Sequence, residues 1–256
     1  MSEQVSANES SVQPKDHPRC VTGIEGLDGI LNGGVPVGNT VLVVGSCGTG
    51  KTTLSIEILV NGAKLGENSA YLAATEPAAR VVENMRTYDF FDEKLIDDKK
   101  LVFFDLDVIY DRLGLDRAEF SYDDINALVG AIEDVVRHLN IKRIVIDSMT
   151  AISFSLKTKE KIRDFMLKLG RALSEFGCTV FLISEIPPGS VQYSVYGVEE
   201  MIADGVISLG NIEQRGYLLR TINVVKMRGT VHSRSKFVMD LTPHGIIIVP
   251  LLKTGL

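Results

Sequence analysis

The sequence predicts an α/β fold: a mainly parallel, twisted sheet, helices on both of its faces, and an antiparallel C-terminal extension. Short apolar strands alternate with helical segments over most of the 256 residues, which is typical of successive β-α-β units. Most of these strands are apolar on both faces, as in a parallel sheet that is covered on both sides. After Gly205 the pattern changes to strands joined by short turns, which indicates antiparallel pairing.

The first part of the chain is predicted to contain three strands, each followed by a helix. The predicted strands are Thr40–Val44, Ser69–Thr75 and Leu101–Leu106. The first helix is expected from Lys51 to about Leu65, and the second after Pro77, because proline suits the first turn of a helix. The third helix is expected to end at His138. It follows Ser121-Tyr122-Asp123-Asp124, which resembles a capping box with aspartate in place of glutamate.

The second part of the chain completes the parallel strands and adds the antiparallel ones. Two buried strands, Arg143–Asp147 and Cys178–Ser184, flank a helix predicted over residues 159–176. The antiparallel strands are predicted at Val206–Leu209, Tyr217–Lys226, Ser235–Leu241 and Ile246–Val249. Residues 1–18 are polar and predict a flexible tail, so the folded domain is expected to span residues 19–256.

Composition restricts the classes of protein to consider. Apolar residues make up 45% of the chain, enough to bury a large core. The net charge of −6, from 27 basic and 33 acidic residues, argues against general attraction to nucleic acid or to an anionic membrane. Three cysteines without zinc-ligand spacing indicate a reducing compartment. With neither a signal peptide nor a long apolar run, the sequence predicts a cytoplasmic protein.

A phosphate-binding loop is the strongest motif in the chain. The motif G-x-x-x-x-G-K-[ST] is matched in full by Gly45-Ser46-Cys47-Gly48-Thr49-Gly50-Lys51-Thr52, and Thr53 follows it. The motif lies between a predicted strand and a predicted helix, where glycines let backbone N–H groups point at phosphate oxygens. Lys51 is expected to reach the β- and γ-phosphates of ATP, and the Thr52 hydroxyl to coordinate Mg²⁺.

Two acidic residues at strand ends are candidates for the rest of the site. Asp147 closes a buried strand and is predicted to hold Mg²⁺ through its water shell; the alternative is a cap for the next helix. Glu76 is predicted to be the general base, on the expectation that its strand lies beside the strand of the phosphate-binding loop. The alternative for Glu76 is a favourable charge in the first turn of the following helix.

At this point the sequence resembles the single-domain, KaiC-like branch of the RecA/RadA family of P-loop ATPases. Besides the phosphate-binding loop, four stretches carry the resemblance and extend it over nearly the whole chain. They are Thr22-Gly23-Ile24-Glu25-Gly26-Leu27-Asp28, Gly33-Gly34-Val35-Pro36, Arg143–Ser148, and Lys226-Met227-Arg228-Gly229-Thr230-Val231-His232-Ser233. The resemblance implies a RecA-like core and assembly into a homo-oligomeric ring, commonly a hexamer, with ATP between subunits.

The resemblance also assigns roles that the residues alone do not. Lys226 and Arg228 correspond to a basic pair that reaches the neighbouring subunit's γ-phosphate; the alternative is a solvated turn between strands. The family has adjacent glutamates after its second strand, where this chain has Thr75-Glu76. Because this difference could weaken hydrolysis, the resemblance implies ATP binding more firmly than turnover. It gives no indication of autokinase activity.

Three functions remain open from sequence. The leading one is a regulatory or signalling ATPase whose ring responds to its nucleotide state and acts on an unidentified protein partner. The second is a non-catalytic ATP sensor that docks on a larger machine, a reading that Thr75 keeps open. The third is a RadA-like, DNA-binding recombinase paralogue, which the acidic composition and the short N-terminal tail disfavour.

Overall fold

The computed structural model describes residues 17–106, 108–109 and 125–251. Residues 1–16 of the predicted tail and the predicted capping segment 121–124 lie outside the described residues. The strands are β1 (Arg19–Cys20), β2 (Val35–Pro36), β3 (Thr40–Gly45), β4 (Asn68–Ala73), β5 (Leu101–Asp105), β6 (Ile141–Asp147), β7 (Thr179–Glu185), β8 (Gly205–Gln214), β9 (Tyr217–Met227), β10 (Phe237–Thr242) and β11 (Gly245–Pro250). The helices include α1 (Leu27–Ile30), α2 (Lys51–Lys64), α3 (Ala78–Met85), α4 (Lys94–Asp97), α5 (Ile125–His138), α6 (Met149–Leu156), α7 (Lys159–Glu175) and α8 (Glu199–Ile202).

The main sheet has nine strands in the order β11-β10-β9-β8-β3-β7-β6-β4-β5. Neighbouring strands from β8 to β5 pair in parallel, and β8, β9, β10 and β11 pair antiparallel in succession. The predicted α/β class, with a mainly parallel sheet and an antiparallel C-terminal extension, is therefore confirmed. Among the described residues, no helix combines the length and apolar character that a membrane span requires.

The order of the strands corrects one expectation from sequence. The strand that leads to Glu76 was expected beside the strand of the phosphate-binding loop, but β7 and β6 lie between β3 and β4. The neighbours of β3 are β7 and β8, which come much later in the chain. The physical reason is that each helical crossover can return to a position one or several strands away, and strand sequences do not specify which.

Two apolar layers cover the two faces of the sheet. In β3, Val41 and Val43 belong to one core cluster and Leu42 and Val44 to the other, because successive side chains of a strand point to opposite faces. Helices α1, α2 and α3 contribute to the first cluster, and α5, α6 and α7 to the second. With helices on both faces, the loops at the carboxyl ends of the parallel strands meet at one edge, which we call the carboxyl edge.

The N-terminal motif that begins at Thr22 is held by hydrogen bonds and packs against the first helical layer. The Asp28 carboxylate accepts hydrogen bonds from Thr22 N and Thr22 Oγ1, each at 2.8 Å, and from Gly23 N at 2.9 Å. Asn61 on α2 donates to the carbonyl oxygen of Thr22 at 3.0 Å. These contacts attach the start of the domain to the helix that follows the phosphate-binding loop.

Candidate functional site

The phosphate-binding loop connects β3 to α2 at the carboxyl edge. Gly45 has no room for a side chain, because a Cβ there would lie 2.7 Å from Thr49 Oγ1 and 2.8 Å from the carbonyl oxygen of Leu209. Thr49 Oγ1 donates to the carbonyl oxygen of Ser46 at 2.8 Å and so holds the curl of the loop. Gly50 has a φ of 92°, which favours glycine at the position just before the helix.

Lys51 is folded back onto its own loop. Its Nζ donates to the carbonyl oxygen of Ser46 at 3.0 Å and lies 4.0 Å from Glu185 Oε1, while the side chain is only 6% exposed. Burial lowers the pKa of Lys51 from its ordinary value, and attraction to Glu185 and Asp147 opposes that shift. A phosphate group that replaced the carbonyl partner would give this buried ammonium a full opposite charge.

Asp147 ends β6 next to the first turn of α2. Its Oδ2 accepts hydrogen bonds from Thr52 Oγ1 at 2.9 Å and from Tyr71 OH at 2.6 Å. Burial raises the pKa of Asp147, while these two hydrogen bonds and the charge of Lys51 lower it. A hydroxyl and a carboxylate oxygen in contact are a donor set that suits a hard divalent cation, so the two predicted metal-binding residues fit Mg²⁺.

The alternative role of Asp147 as a helix cap is not observed. Ser148 is the residue that caps α6, since its side chain accepts a hydrogen bond from Ala151 N at 3.3 Å. The Asp147 carboxylate is instead directed to Thr52 and Tyr71. Tyr71 was not identified from sequence because it lies in an apolar strand, where an aromatic residue is an ordinary core residue.

The loop, Asp147 and three unpredicted residues surround one cavity of about 310 Å³. From the predicted nucleotide-binding set, the lining residues are Cys47, Gly48, Gly50, Lys51, Thr52 and Thr53. Gly45, Ser46 and Thr49 maintain the shape of the loop through the contacts described above. The unpredicted lining residues are Ile183, Glu185 and Leu241. A carboxylate after a buried strand was the only signal for Glu185, and the predicted strand ended one residue before it.

Glu76 lies in the connection between β4 and α3 and is partly exposed, whereas Thr75 is exposed. Glu76 does not line the loop's cavity as Glu185 does. It also precedes Pro77, the N-cap of α3, so its alternative placement in the first turn of that helix is wrong. The N-terminus of α3 is satisfied by Asp105, whose Oδ1 accepts from Ala78 N at 2.7 Å.

Lys226 and Arg228 lie at the opposite edge of the sheet from their own phosphate-binding loop. Lys226 donates to the carbonyl oxygens of Glu200 at 3.1 Å and of Ala203, around the end of α8. Arg228 donates from Nη1 to Asp204 Oδ1 at 3.1 Å. Lys226 lies within β9 and is partly buried, so the alternative of a solvated turn does not hold for it. Arg228 lies in the turn after β9 and is 57% exposed, so for Arg228 that alternative stays open.

Strand pairing explains this separation. Met227 pairs with Gly205 at the start of β8, and Gly205 pairs with Val41 at the start of β3. The loop begins at the other end of β3, so about 15 Å of strand separates it from the basic pair. Within one subunit, the pair therefore does not take part in the cavity.

Comparisons with known proteins agree with this geometry. The family model described as "ATPase: KaiC" matches residues 20–253. A UPF0273 protein of Pyrococcus horikoshii is 36% identical over 244 residues, which cover 93% of this chain and 97% of that protein. The circadian clock oscillator protein KaiC of Synechococcus elongatus is 32% identical over 231 residues, which cover 90% of this chain but only 44% of the clock protein.

A solved structure of a similar protein has the same three-dimensional fold. The crystal structure of a KaiC-like protein from Pyrococcus horikoshii superposes with a TM-score of 0.78 at 34% sequence identity, covering 92% of this chain and 100% of that one. The sheet with its antiparallel extension is thus a known fold. The chain belongs to the KaiC family of ATPase domains.

Proposed function

We propose that this chain binds and hydrolyses ATP with Mg²⁺ and acts as a ring-forming regulatory ATPase. The observation that carries the proposal is the convergence of Lys51 and Thr52, from α2, and Asp147, from β6, on the cavity at the carboxyl edge. A lysine, a hydroxyl and a carboxylate in this arrangement can hold a triphosphate and its cation. When bound, Mg²⁺ would neutralise charge on the phosphates.

In this proposal, Lys51 exchanges the carbonyl oxygen of Ser46 for phosphate oxygens when ATP binds. Hydrolysis then needs a carboxylate that orients the attacking water and accepts its proton, a role for which the sequence nominates Glu76. A neighbouring subunit supplies Lys226 and Arg228, which stabilise the charge that develops on the transferred phosphoryl group. Their position far from their own loop supports a role in the next subunit's site.

Steady-state release of phosphate from Mg-ATP tests the proposal, together with light scattering during size-exclusion chromatography. Lys51→Ala should abolish turnover, and Arg228→Ala should reduce it by roughly 10³-fold or more while the ring still forms with nucleotide. Arg137→Ala is the matched control, since Arg137 is 55% exposed and pairs with Asp134 on the surface of α5. Turnover that does not depend on Lys51 would overturn the proposal.

One observation favours a second candidate, a non-catalytic ATP sensor. Thr75 stands where the resemblance implies the first of two glutamates, and neither Thr75 nor Glu76 lines the cavity. A sensor would bind Mg-ATP tightly and release no phosphate. Thr75→Glu separates the two candidates: a large gain of turnover over an inactive parent would support the sensor, whereas an active parent would exclude it.

A further inference from the structure

Asp204 is the ion-pair partner of Arg228, and the proposed function has not yet used it. It lies between α8 and β8, and its Oδ1 accepts a hydrogen bond from Arg228 Nη1 at 3.1 Å. The backbone N–H of Arg228 also donates to the carbonyl oxygen of Asp204, at 2.9 Å. Both the main chain and the side chain of the arginine are therefore attached to this one residue.

The Asp204 carboxylate is itself fixed to the first residue of β3. Thr40 N donates to Asp204 Oδ2 at 3.0 Å, and Asp204 N donates to the carbonyl oxygen of Thr40 at 2.8 Å. Thr40 is buried, and β3 lies between β7 and β8 in the sheet. One carboxylate oxygen thus contacts the main chain of a buried strand while the other contacts the guanidinium, which makes Asp204 a rigid support for Arg228.

The guanidinium of Arg228 keeps donors that these contacts do not use. Besides Asp204, it donates from Nη1 to the carbonyl oxygen of Ile202 at 3.3 Å and from Nη2 to that of Met201 at 3.4 Å. These three contacts leave two of the five N–H donors of an arginine, and Nε has no hydrogen-bond partner among the described residues. Arg228 can therefore donate to phosphate oxygens while its contact with Asp204 remains.

Stability does not account for this ion pair. The side chains of Arg228 and Asp204 are 57% and 31% exposed, and ion pairs with this exposure contribute little to the free energy of unfolding. What the pair does restrict is the conformational freedom of a long side chain. An arginine that is already held in one place loses less entropy when it contacts a phosphoryl group.

We propose that Asp204 is a positioning residue, which holds Arg228 ready for the phosphoryl group in the neighbouring subunit's site. The inference rests on the proposed function, in which Arg228 acts across the interface. Asp204 acts only through the guanidinium and contacts neither the nucleotide nor the water. Its effect on turnover therefore belongs to the subunit that supplies Arg228, and not to the subunit that binds the ATP.

Asp204→Asn is the variant for the test. Its amide oxygen can still accept from Thr40 N, but its amide N–H groups then face Arg228 in place of a carboxylate oxygen. Turnover should fall by roughly 10- to 100-fold with an unchanged melting temperature. The double variant Asp204→Asn/Arg228→Ala should be no slower than Arg228→Ala alone, because both changes act through one guanidinium. Asp134→Asn is the matched control, since it removes the partner of Arg137 from an exposed ion pair on α5.

Dilution shows which subunit carries the effect. Asp204→Asn is mixed with a ninefold excess of Lys51→Ala, whose own sites are inactive but whose Asp204 and Arg228 are intact. In randomly assembled head-to-tail rings, about nine in ten Asp204→Asn sites then receive Arg228 from a Lys51→Ala neighbour. Turnover per Asp204→Asn subunit should rise nearly to that of the wild-type chain diluted in the same way, and Arg228→Ala should recover likewise.

The other outcomes separate this inference from the proposed function. If diluted Arg228→Ala recovers but diluted Asp204→Asn stays slow, Asp204 acts within its own subunit, and the positioning role alone is overturned. A double variant much slower than Arg228→Ala would also overturn it, because Asp204 would then act by another route. If diluted Arg228→Ala does not recover although rings form, or if wild-type turnover does not depend on Lys51, the proposed function fails and the positioning role fails with it.

Discussion

At the scale of single residues, burial determines how charged groups of α2 behave. Glu57 is 6% exposed, and its Oε2 accepts a hydrogen bond from Ile246 N at 2.9 Å, which connects α2 to the start of β11. Burial raises the pKa of Glu57 from its ordinary value of 4.5 to about 7, although this hydrogen bond and the charge of Lys64 oppose the shift. Stability should therefore depend on pH through this residue.

Glu57→Gln should be more stable than the wild-type chain at pH 8 by roughly 3 kcal/mol. Between pH 4.5 and about 7, the folded protein keeps a proton on Glu57 that the unfolded chain has released. The free energy of unfolding of the wild type therefore falls as pH rises through this window, because the unfolded chain binds fewer protons. Glutamine is neutral throughout, so the advantage of the variant should disappear towards pH 4.5.

Urea denaturation at pH 5 and pH 8 measures this difference. Glu175→Gln is the control, since it removes the same charge from an exposed position at the end of α7. An equal effect of Glu57→Gln at both pH values would mean that the carboxylate is not protonated in the folded protein.

At the scale of elements, the sequence predicted what each segment forms better than where it lies. Alternation of apolar strands with helices follows from local pattern, and so do the ends of α2, where Lys51 was the predicted first residue. Neighbouring strands are chosen by the packing of whole helices, and the expectation for the strand of Glu76 was wrong for that reason. Glu185 and Tyr71 reach the site only through that arrangement.

Gly62, in α2, shows how helix packing can override helix propensity. A Cβ at Gly62 would lie 2.1 Å from Arg143 Nε. Arg143 is fully buried, and its guanidinium donates to Glu67 Oε2 at 2.8 Å and to the carbonyl oxygen of Ile58 at 2.9 Å. Gly62→Ala should therefore destabilise the fold by about 3 kcal/mol, even though alanine is the better helix former.

Gly130 in α5 provides the matched control for this prediction. No atom lies within 4 Å of a Cβ built there, so Gly130→Ala should stabilise the chain by about 0.5 to 1 kcal/mol through helix propensity alone. Urea denaturation of both variants gives the comparison. If the two substitutions had the same sign, the close approach of Arg143 to α2 would not explain the glycine at position 62.

At the scale of the whole molecule, one subunit presents two incomplete halves of the proposed catalytic site. The carboxyl edge holds the loop and Asp147, and the opposite edge holds Lys226 and Arg228 against α8. In the proposed ring, a head-to-tail contact between copies would bring one subunit's basic pair to the next subunit's loop, and closure of the ring would repeat that contact without free ends. The sequence alone could not show this, because the two edges are separated only in the folded sheet.

Mixing two inactive variants tests this arrangement directly. Lys51→Ala lacks the phosphate-binding lysine and Arg228→Ala lacks the residue supplied to the neighbour, so each alone should be inactive. In rings assembled at random from equal amounts, about one quarter of the interfaces combine an intact Lys51 with an intact Arg228 from the next subunit. Phosphate release should therefore recover to roughly a quarter of the wild-type rate.

The control mixes Lys51→Ala with the double variant Lys51→Ala/Arg228→Ala, in which no interface is complete and no activity should return. Light scattering must show that each mixture forms rings of the same size, because failed assembly would also leave it inactive. If rings form and the first mixture stays as inactive as its components, Arg228 does not act across the interface. Since its own loop lies at the far end of β3, the position of Arg228 would then be explained by its contacts with α8 and Asp204 alone.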